Sequence, residues 1–576
     1  MRPRPATIFA VLAVLAGLLL SPRGTPPSVQ FDTSFWDLSK ITAPTNATMT
    51  GWQTLQSGVL ESNVTYFSET YGGSPVIIEG LLYKPNQNGK LPAVLVMHGS
   101  FGDAESMAYF AELLAAKGYV ALAISGPGQG ASTGPSETNQ NRLNLTGGAY
   151  YSYYYRLLYS ALRGITFLTE LPFVDAGRIA ATGASQGGLE CLWLSALDHR
   201  LRTVIPIVAG GNFSFLVFSG SLALGHLPPG TRLDDPRGEL LMKYFDPLAY
   251  VPESKAPVLM LVGTSDQFFP LDSYNQTYSL LGSEKSILIV PNTGHFIVKA
   301  EWIASAETWL SKWLKDEGSF PQVSLLSISR KGGRMEVNAS ASGVDGVVLN
   351  FRDGWPWSRW ETYPMNRTGE QWSVSLPLSS VDVTIYVSGM SAGYQVVSSN
   401  TQLYKADETG LASTGLFLIC VFSVALLVRV SITMDWISSL ERAVVWSAIW
   451  CTTLLPLLVA GGVAPLPIWT IMRTYELWVH PAIPFVIFAL LPAGTLLAAG
   501  SDRWLKAMSV VTLLVTGLSS LAALSYASSA ASLSLGMTLW VQIAIAIALF
   551  AEPLIAKKPP SLDRSIAILF ERKPKQ

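Results

Sequence analysis

The chain has little charge and almost no cysteine. Only 14% of its 576 residues are Asp, Glu, Lys or Arg, whereas 49% are hydrophobic. Soluble domains carry about 25% charged residues, so this balance points to membrane-spanning segments. The net charge is -1, which argues against a nucleic-acid binder drawn to phosphate. The three cysteines are Cys191, Cys420 and Cys451. With one cysteine in the first 400 residues, no internal disulfide can form there, and no pair has metal-ligand spacing. Cys191 reads as a small core residue on a helix. Histidine is scarce too. His98, His199, His226, His295 and His480 are all there are, so any imidazole base must be one of five.

What is present divides the chain. Arg2 and Arg4 precede an apolar run from Thr7 to Leu20, the pattern of a secretory signal or an N-terminal anchor over 1–24. From Gly410 onward, five apolar runs fall at about 411–428, 443–463, 478–500, 507–527 and 533–552. Each is long enough to cross a bilayer as a helix. Arg429 and Arg442, then Arg503 and Lys506, then the basic tail 557–576 lie on one side of them. By the positive-inside rule that side is cytoplasmic and residues up to about 405 are extracytoplasmic. The expected location is the cell membrane, multi-pass, with a lipid bilayer as partner of an all-α region over 410–556. Sequons at Asn46, Asn63, Asn144, Asn212, Asn275, Asn338 and Asn366 all precede residue 400, which suits a glycosylated exterior.

The exterior part has two textures. Apolar runs such as "PAVLVMHG" (92–99), "YVALAIS" (119–125), "RIAATGAS" (178–185), "TVIPIVA" (203–209), "PVLMLVG" (257–263) and "SILIVPN" (286–292) alternate with helical patterns. Such runs imply a mostly parallel sheet covered on both faces, an α/β domain over 25–320. Over 321–405 the residues alternate apolar and polar between turn signals, which reads as a small all-β sandwich of immunoglobulin-like type.

The chemistry centres on Gly183-Ala184-Ser185-Gln186-Gly187. A G-x-S-x-G between a buried strand and a helix is a nucleophile elbow, where a strained turn exposes serine and the glycines avoid collision. Serine needs a base. His295, after the last α/β strand, fits the order Ser, acid, His. His480 lies in a membrane run, His199 at a helix end, His226 in an insertion, and His98 in a loop that its His-Gly pair shapes. Asp266, after "PVLMLVGTS", is placed to orient His295, with Asp272 as substitute. For the oxyanion, one donor is the Gln186 N–H and the other the Ser100 N–H in "MHGSFGD", with Phe101 as substitute. Two insertions, about 131–160 and 212–250, are placed to shape the pocket. The first holds "YYSYYY" (150–155), whose tyrosines read as helix packing ahead of a substrate groove.

These motifs, "HGSFGD", "TGASQGG", "GTSDQFF" and "PNTGH" in this order, resemble the α/β-hydrolase superfamily, closest to dienelactone hydrolase, acetyl xylan esterase and prolyl-oligopeptidase-like members. The resemblance covers about 74–316 and implies the same roles for Ser185, Asp266 and His295. "WLSALDHRLRTVIPIV", "GTSDQFFPLDS", "VPNTGH" and "LNFRDGWPWSRW" are also similar to the PhoPQ-activated pathogenicity-related family, which joins a hydrolase domain to a small β-domain. The chain departs from that family after the serine, where Gln186-Gly187-Gly188 resembles the esterases. The expectation is a membrane-anchored extracytoplasmic serine hydrolase cleaving a small-molecule ester, with no metal or organic cofactor implied. The alternatives are a prolyl-oligopeptidase-like peptidase acting on peptides, and a non-catalytic binding or adhesion module.

Overall fold

The computed structural model describes residues 34–404, apart from 143, 145–147, 220, 227–235, 297, 332–333, 354–358, 370 and 378–382. The N-terminal apolar run, the five C-terminal runs, Cys420, Cys451 and His480 lie outside the described residues. Among the described residues, no helix is long and apolar enough to cross a membrane.

Eight strands build the main sheet: β1 (Leu60–Tyr71), β2 (Ser74–Lys84), β3 (Leu91–Met97), β4 (Val120–Ile124), β5 (Val174–Ala184), β6 (Leu201–Ile207), β7 (Val258–Gly263) and β8 (Lys285–Val290). Their spatial order is β1-β2-β4-β3-β5-β6-β7-β8. β1 and β2 form an antiparallel pair and β2 meets β4 antiparallel, while β3 to β8 run parallel. All six apolar runs of the sequence are therefore the parallel strands, whose side chains are buried on both faces. The loops after β3, β5, β7 and β8 emerge at the same, carboxyl end of the sheet. In an open α/β sheet the ligand crevice lies there.

Helices cover the sheet. They are α1 (Ala108–Ala116), α2 (Tyr153–Glu170), α3 (Gln186–Leu197), α4 (Phe213–Ser219), α5 (Pro236–Phe245), α6 (Leu271–Leu280) and α7 (Ala300–Lys315). The side chain of Ser152 caps α2 by accepting the Tyr154 N–H at 3.2 Å. From Tyr153 to Leu168 every residue of α2 is buried. Its charged members find partners there: Arg156 pairs with Glu69, and Arg163 donates to the carbonyls of Ile41 (2.6 Å) and Pro44 (2.9 Å). The tyrosine cluster divides. Tyr153, Tyr154 and Tyr155 are core residues, with Tyr155 stacked on Trp36 at 4.7 Å, whereas Tyr150 and Tyr151 remain exposed. Cys191 is fully buried, and burial pushes its thiol up, which suits a packing role.

Nine further strands follow: β9 (Gln322–Lys331), β10 (Arg334–Ser342), β11 (Gly346–Asp353), β12 (Glu361–Pro364), β13 (Asn366–Thr368), β14 (Gln371–Pro377), β15 (Val383–Ser391), β16 (Tyr394–Ser398) and β17 (Gln402–Tyr404). β9, β10, β14 and β13 form a four-stranded sheet. The remaining strands pack against that sheet through a shared apolar cluster, as a sandwich does, but they are not separate from the main sheet. β16 pairs with β8 at Ile287 and Ser398, so β16, β15, β11 and β12 continue the main sheet. The core is continuous as well. Val337, Leu349, Val383 and Ile385 share one apolar cluster with Trp302, Trp309 and Phe320. Alternation in sequence reports a half-buried strand but not which sheet it joins.

Trp309 sits where these layers meet. It is 1% exposed, its Nε1 donates to Thr203 Oγ1 at 2.6 Å, and its ring meets Phe320 edge-on. Trp309→Ala is expected to destabilise the fold by about 3–5 kcal/mol, read from the urea unfolding midpoint. A loss below about 1 kcal/mol would contradict this core placement.

Candidate active site

β5 ends and α3 begins at Ser185, whose backbone sits at φ 56° and ψ -111°. A side-chain-bearing residue rarely adopts such angles, and the surroundings impose them. The Ser185 N–H donates to the Ile207 carbonyl of β6 at 2.9 Å, and the Gly187 N–H donates to His98 O at 3.0 Å. A Cβ on Gly183 would lie 2.7 Å from the Gly187 carbonyl. One on Gly187 would lie 2.5 Å from Met97 O, and one on Gly188 2.5 Å from Ala209 Cβ. Each glycine thus admits a different neighbour: the turn itself, the loop after β3, and the segment after β6.

His295 and Asp266 arrive from the loops after β8 and β7. His295 Nε2 lies 2.9 Å from Ser185 Oγ, and His295 Nδ1 lies 2.8 Å from Asp266 Oδ2. Asp266 Oδ1 accepts the N–H groups of Phe268 (2.8 Å) and Phe269 (2.9 Å). Its Oδ2 also accepts the Tyr274 hydroxyl, whose proton is held firmly because burial and the adjacent carboxylate push its pKa up. The carboxylate is therefore fixed in rotation. Nδ1 of His295 faces an acceptor, so Nε2 is left to accept the serine proton. Phe268 lies over the imidazole at 4.4 Å and shields it from water. The three side chains are separated by 81 and 29 residues in sequence and converge only through the sheet.

Gln186 N–H is the first of α3, where no intrahelical acceptor exists. Ser100 lines the same cleft. The substitute donor, Phe101, is engaged elsewhere: its N–H donates to Glu137 Oε2 at 2.7 Å. Asp272 is also displaced from its expected role. It starts α6 and feels Arg352, while His295 is held by Asp266. His98 Nε2 accepts the Gly126 N–H at 3.0 Å, so Nδ1 donates to Gly99 O at 2.6 Å. It ties the loop down, and burial lowers its pKa. His199 is exposed at the end of α3.

Three residues of the site have no local sequence signal. Arg142 and Glu137 form a fully buried ion pair in the first insertion. Arg142 also donates to His226 O at 2.6 Å and stacks over Phe101 at 4.5 Å. In sequence both look like ordinary surface charges. His226 lines the cleft between Phe101 and Phe268, and burial, helped by Arg142, lowers its pKa. The remaining wall is apolar: Leu189, Phe213, Leu216, Leu241, Phe268 and Phe269 surround a cavity of about 50 Å³. Both insertions contribute, through Tyr154 on one side and Phe213 to Leu241 on the other.

Two family descriptions match the chain, side by side. Residues 27–212 match "Acetyl xylan esterase (AXE1)", and residues 230–351 match "PhoPQ-activated pathogenicity-related protein". The first span holds Ser100, Ser185 and Gln186, and the second holds Asp266 and His295. Acetyl esterase Axe7A of Xylanibacter ruminicola is 25% identical over 257 residues, 41% of this chain. The match spans 56% of that relative's own length. Among solved structures, the acetyl xylan esterase from Paenibacillus sp. R4 is 23% identical, with a TM-score of 0.42 over 50% of this chain and 97% of that one. Acetyl Xylan Esterase 1 from Thermoanaerobacterium sp. JW/SL YS485 gives 23% and 0.40 over 47% and 89%. On its mixed α/β sheet the chain is thus similar to acetyl xylan esterases over residues 27–212 and to PhoPQ-activated pathogenicity-related proteins over residues 230–351.

Proposed function

We propose that this chain is a serine esterase that removes short acyl groups from small-molecule esters. One observation carries the reading: the unbroken contact from Ser185 Oγ through the His295 ring to Asp266, built on a strained serine. Ser185 Oγ attacks the acyl carbonyl while His295 Nε2 takes its proton. Asp266 stabilises the imidazolium and keeps its orientation. The oxyanion of the tetrahedral intermediate is received by the Gln186 and Ser100 N–H groups, each such donor contributing about 10²–10³ in rate. His295 then protonates the departing alkoxide. Water, activated by the same nitrogen, releases the acid and regenerates Ser185.

The cavity supports the acyl size. At about 50 Å³ the cleft is small and has room for a short acyl group. Its wall of Leu, Phe and Tyr side chains favours an apolar acyl group. The named activity of the similar acetyl esterase agrees with this size.

The apolar runs over 410–556 and their flanking charges support anchoring in the cell membrane, with residues up to about 405 extracytoplasmic. Of the seven sequons, Asn212 is unsuited to a glycan. It is buried, its Nδ2 donates to Gln276 and its Oδ1 accepts the Phe215 N–H.

Purified protein is expected to be labelled by a fluorophosphonate, and Ser185→Ala to lose both labelling and about 10⁴–10⁶ of kcat. Labelling that survives the substitution would reject the assignment. p-Nitrophenyl acetate is expected to exceed the octanoate ester in kcat/KM by at least about tenfold, and to exceed proline p-nitroanilides. A preference for octanoate would contradict the cavity argument, and a preference for the anilides would make the chain a peptidase. For topology, Arg330→Cys in a chain lacking Cys191, Cys420 and Cys451 is expected to react with an impermeant maleimide on intact cells. Arg330 is exposed on β9, so protection would place this part of the chain inside.

A further inference from the structure

The segment from Pro291 to His295 carries the base, and its two sides are held very differently. After His295, Phe296 and Val298 are 62% and 76% exposed. The hydrogen bonds that hold the backbone of this segment come from the preceding side. There Asn292 has φ 56°, a left-handed conformation that Asn tolerates better than most residues. Its N–H donates to Thr264 Oγ1 at 2.8 Å, in the loop that carries Asp266. Two backbone bonds join the same loops: Thr264 N–H to Val290 O at 3.1 Å and Ser265 N–H to Thr293 O at 2.9 Å. A Cβ on Gly263 would overlap the Thr293 carbonyl, so the approach is close. The acid and base loops form one unit.

That unit has an external hold. The Asn292 side chain makes a reciprocal pair with the backbone of Trp360, just before β12. Asn292 Nδ2 donates to Trp360 O at 2.8 Å, and Asn292 Oδ1 accepts Trp360 N–H at 2.9 Å. The amide therefore satisfies one residue's donor and acceptor as a neighbouring strand would. Trp360 is itself anchored. Its ring is 5% exposed and meets Tyr386 at 5.0 Å. The Tyr386 hydroxyl donates to Ile289 O at 3.2 Å, and Ser398 Oγ accepts Ile289 N–H at 3.1 Å, both in β8 just before the loop.

We infer that the β-strands after residue 321 serve as a positioning device for the base, acting through the Asn292–Trp360 pair. Asn292 is the positioning residue, and it works through His295 without touching the substrate. This rests on the reading of Ser185 and His295 given above. Misplacing a reacting group by about 1 Å can cost up to about 10² in rate, and the exposure of Phe296 and Val298 leaves the Asn292 side as the hydrogen-bonded support against such a shift.

The test uses the full chain and four proteins: native, Asn292→Ala, Asn292→Gly and Asn292→Asp. The glycine variant keeps the left-handed backbone and loses only the amide, which separates the pair from backbone strain. The rate of fluorophosphonate labelling and the kcat and KM for p-nitrophenyl acetate are measured beside the thermal midpoint. The alanine and glycine variants are expected to lose about 10–10² in labelling rate and kcat, with KM within about twofold and the protein folded at the assay temperature. Asn292→Asp keeps the acceptor for Trp360 N–H and is expected to fall between them and the native protein. Native rates in the glycine variant, or losses that follow the unfolded fraction, would overturn the inference while leaving Ser185 labelled. A native protein that does not label would overturn both this inference and the esterase reading.

Discussion

The site depends on one strained residue. Ser185 at positive φ costs on the order of 1–3 kcal/mol, and the fold must impose that conformation. It does so with backbone bonds from Ser185 to β6 and from Gly187 to the loop after β3. Those bonds need an approach that only glycine at 183, 187 and 188 permits. The same turn sets three things at once. It presents Oγ to His295, starts α3 so that the Gln186 N–H faces the cleft, and draws the loop with Ser100 alongside. The Ser185 side chain and the Gln186 N–H belong to one piece of backbone.

Around that turn the insertions and the C-terminal strands act as braces. Glu137 takes the Phe101 N–H, and Arg142 joins Glu137 to the carbonyl of His226. A buried ion pair is costly to form and adds little net stability, but breaking one partner is strongly destabilising. Here the pair ties the loop of Phe101 to the second insertion. On the opposite side, the strands after 321 extend the main sheet from β8 and reach the loop of His295 through Trp360. The two matched families meet between these braces, near the insertion that walls the cavity. Their descriptions divide the site residues between them.

Much of this was legible in the chain itself. Six apolar runs without polar alternation could only be strands buried on both faces, and they are β3 to β8. Ser185, Asp266 and His295 were selected by local signals: a glycine-flanked serine, and an acid and a histidine directly after predicted strands. The scarcity of histidine left few rivals. Ser100 was preferred to Phe101 from loop position; the Phe101 N–H donates to Glu137. The β-rich segment was recognised as strands in two packed layers, but one of the layers is continuous with the main sheet. Residue alternation specifies which side is buried and is silent on hydrogen-bonding partners.

The sequence by itself determined the element types, the parallel sheet and the choice of Ser185, Asp266 and His295, because periodicity and turn chemistry are local properties. The tertiary structure decided the rest. Glu137 and Arg142 look like solvated residues until long-range packing buries them, and His226 until it is drawn into the cleft wall. Asn292 reads as a turn residue until Trp360, 68 positions later, is brought beside it. Charges and amides of this kind carry no periodic signature. Their roles come from partners that only the assembled sheet puts within hydrogen-bonding reach.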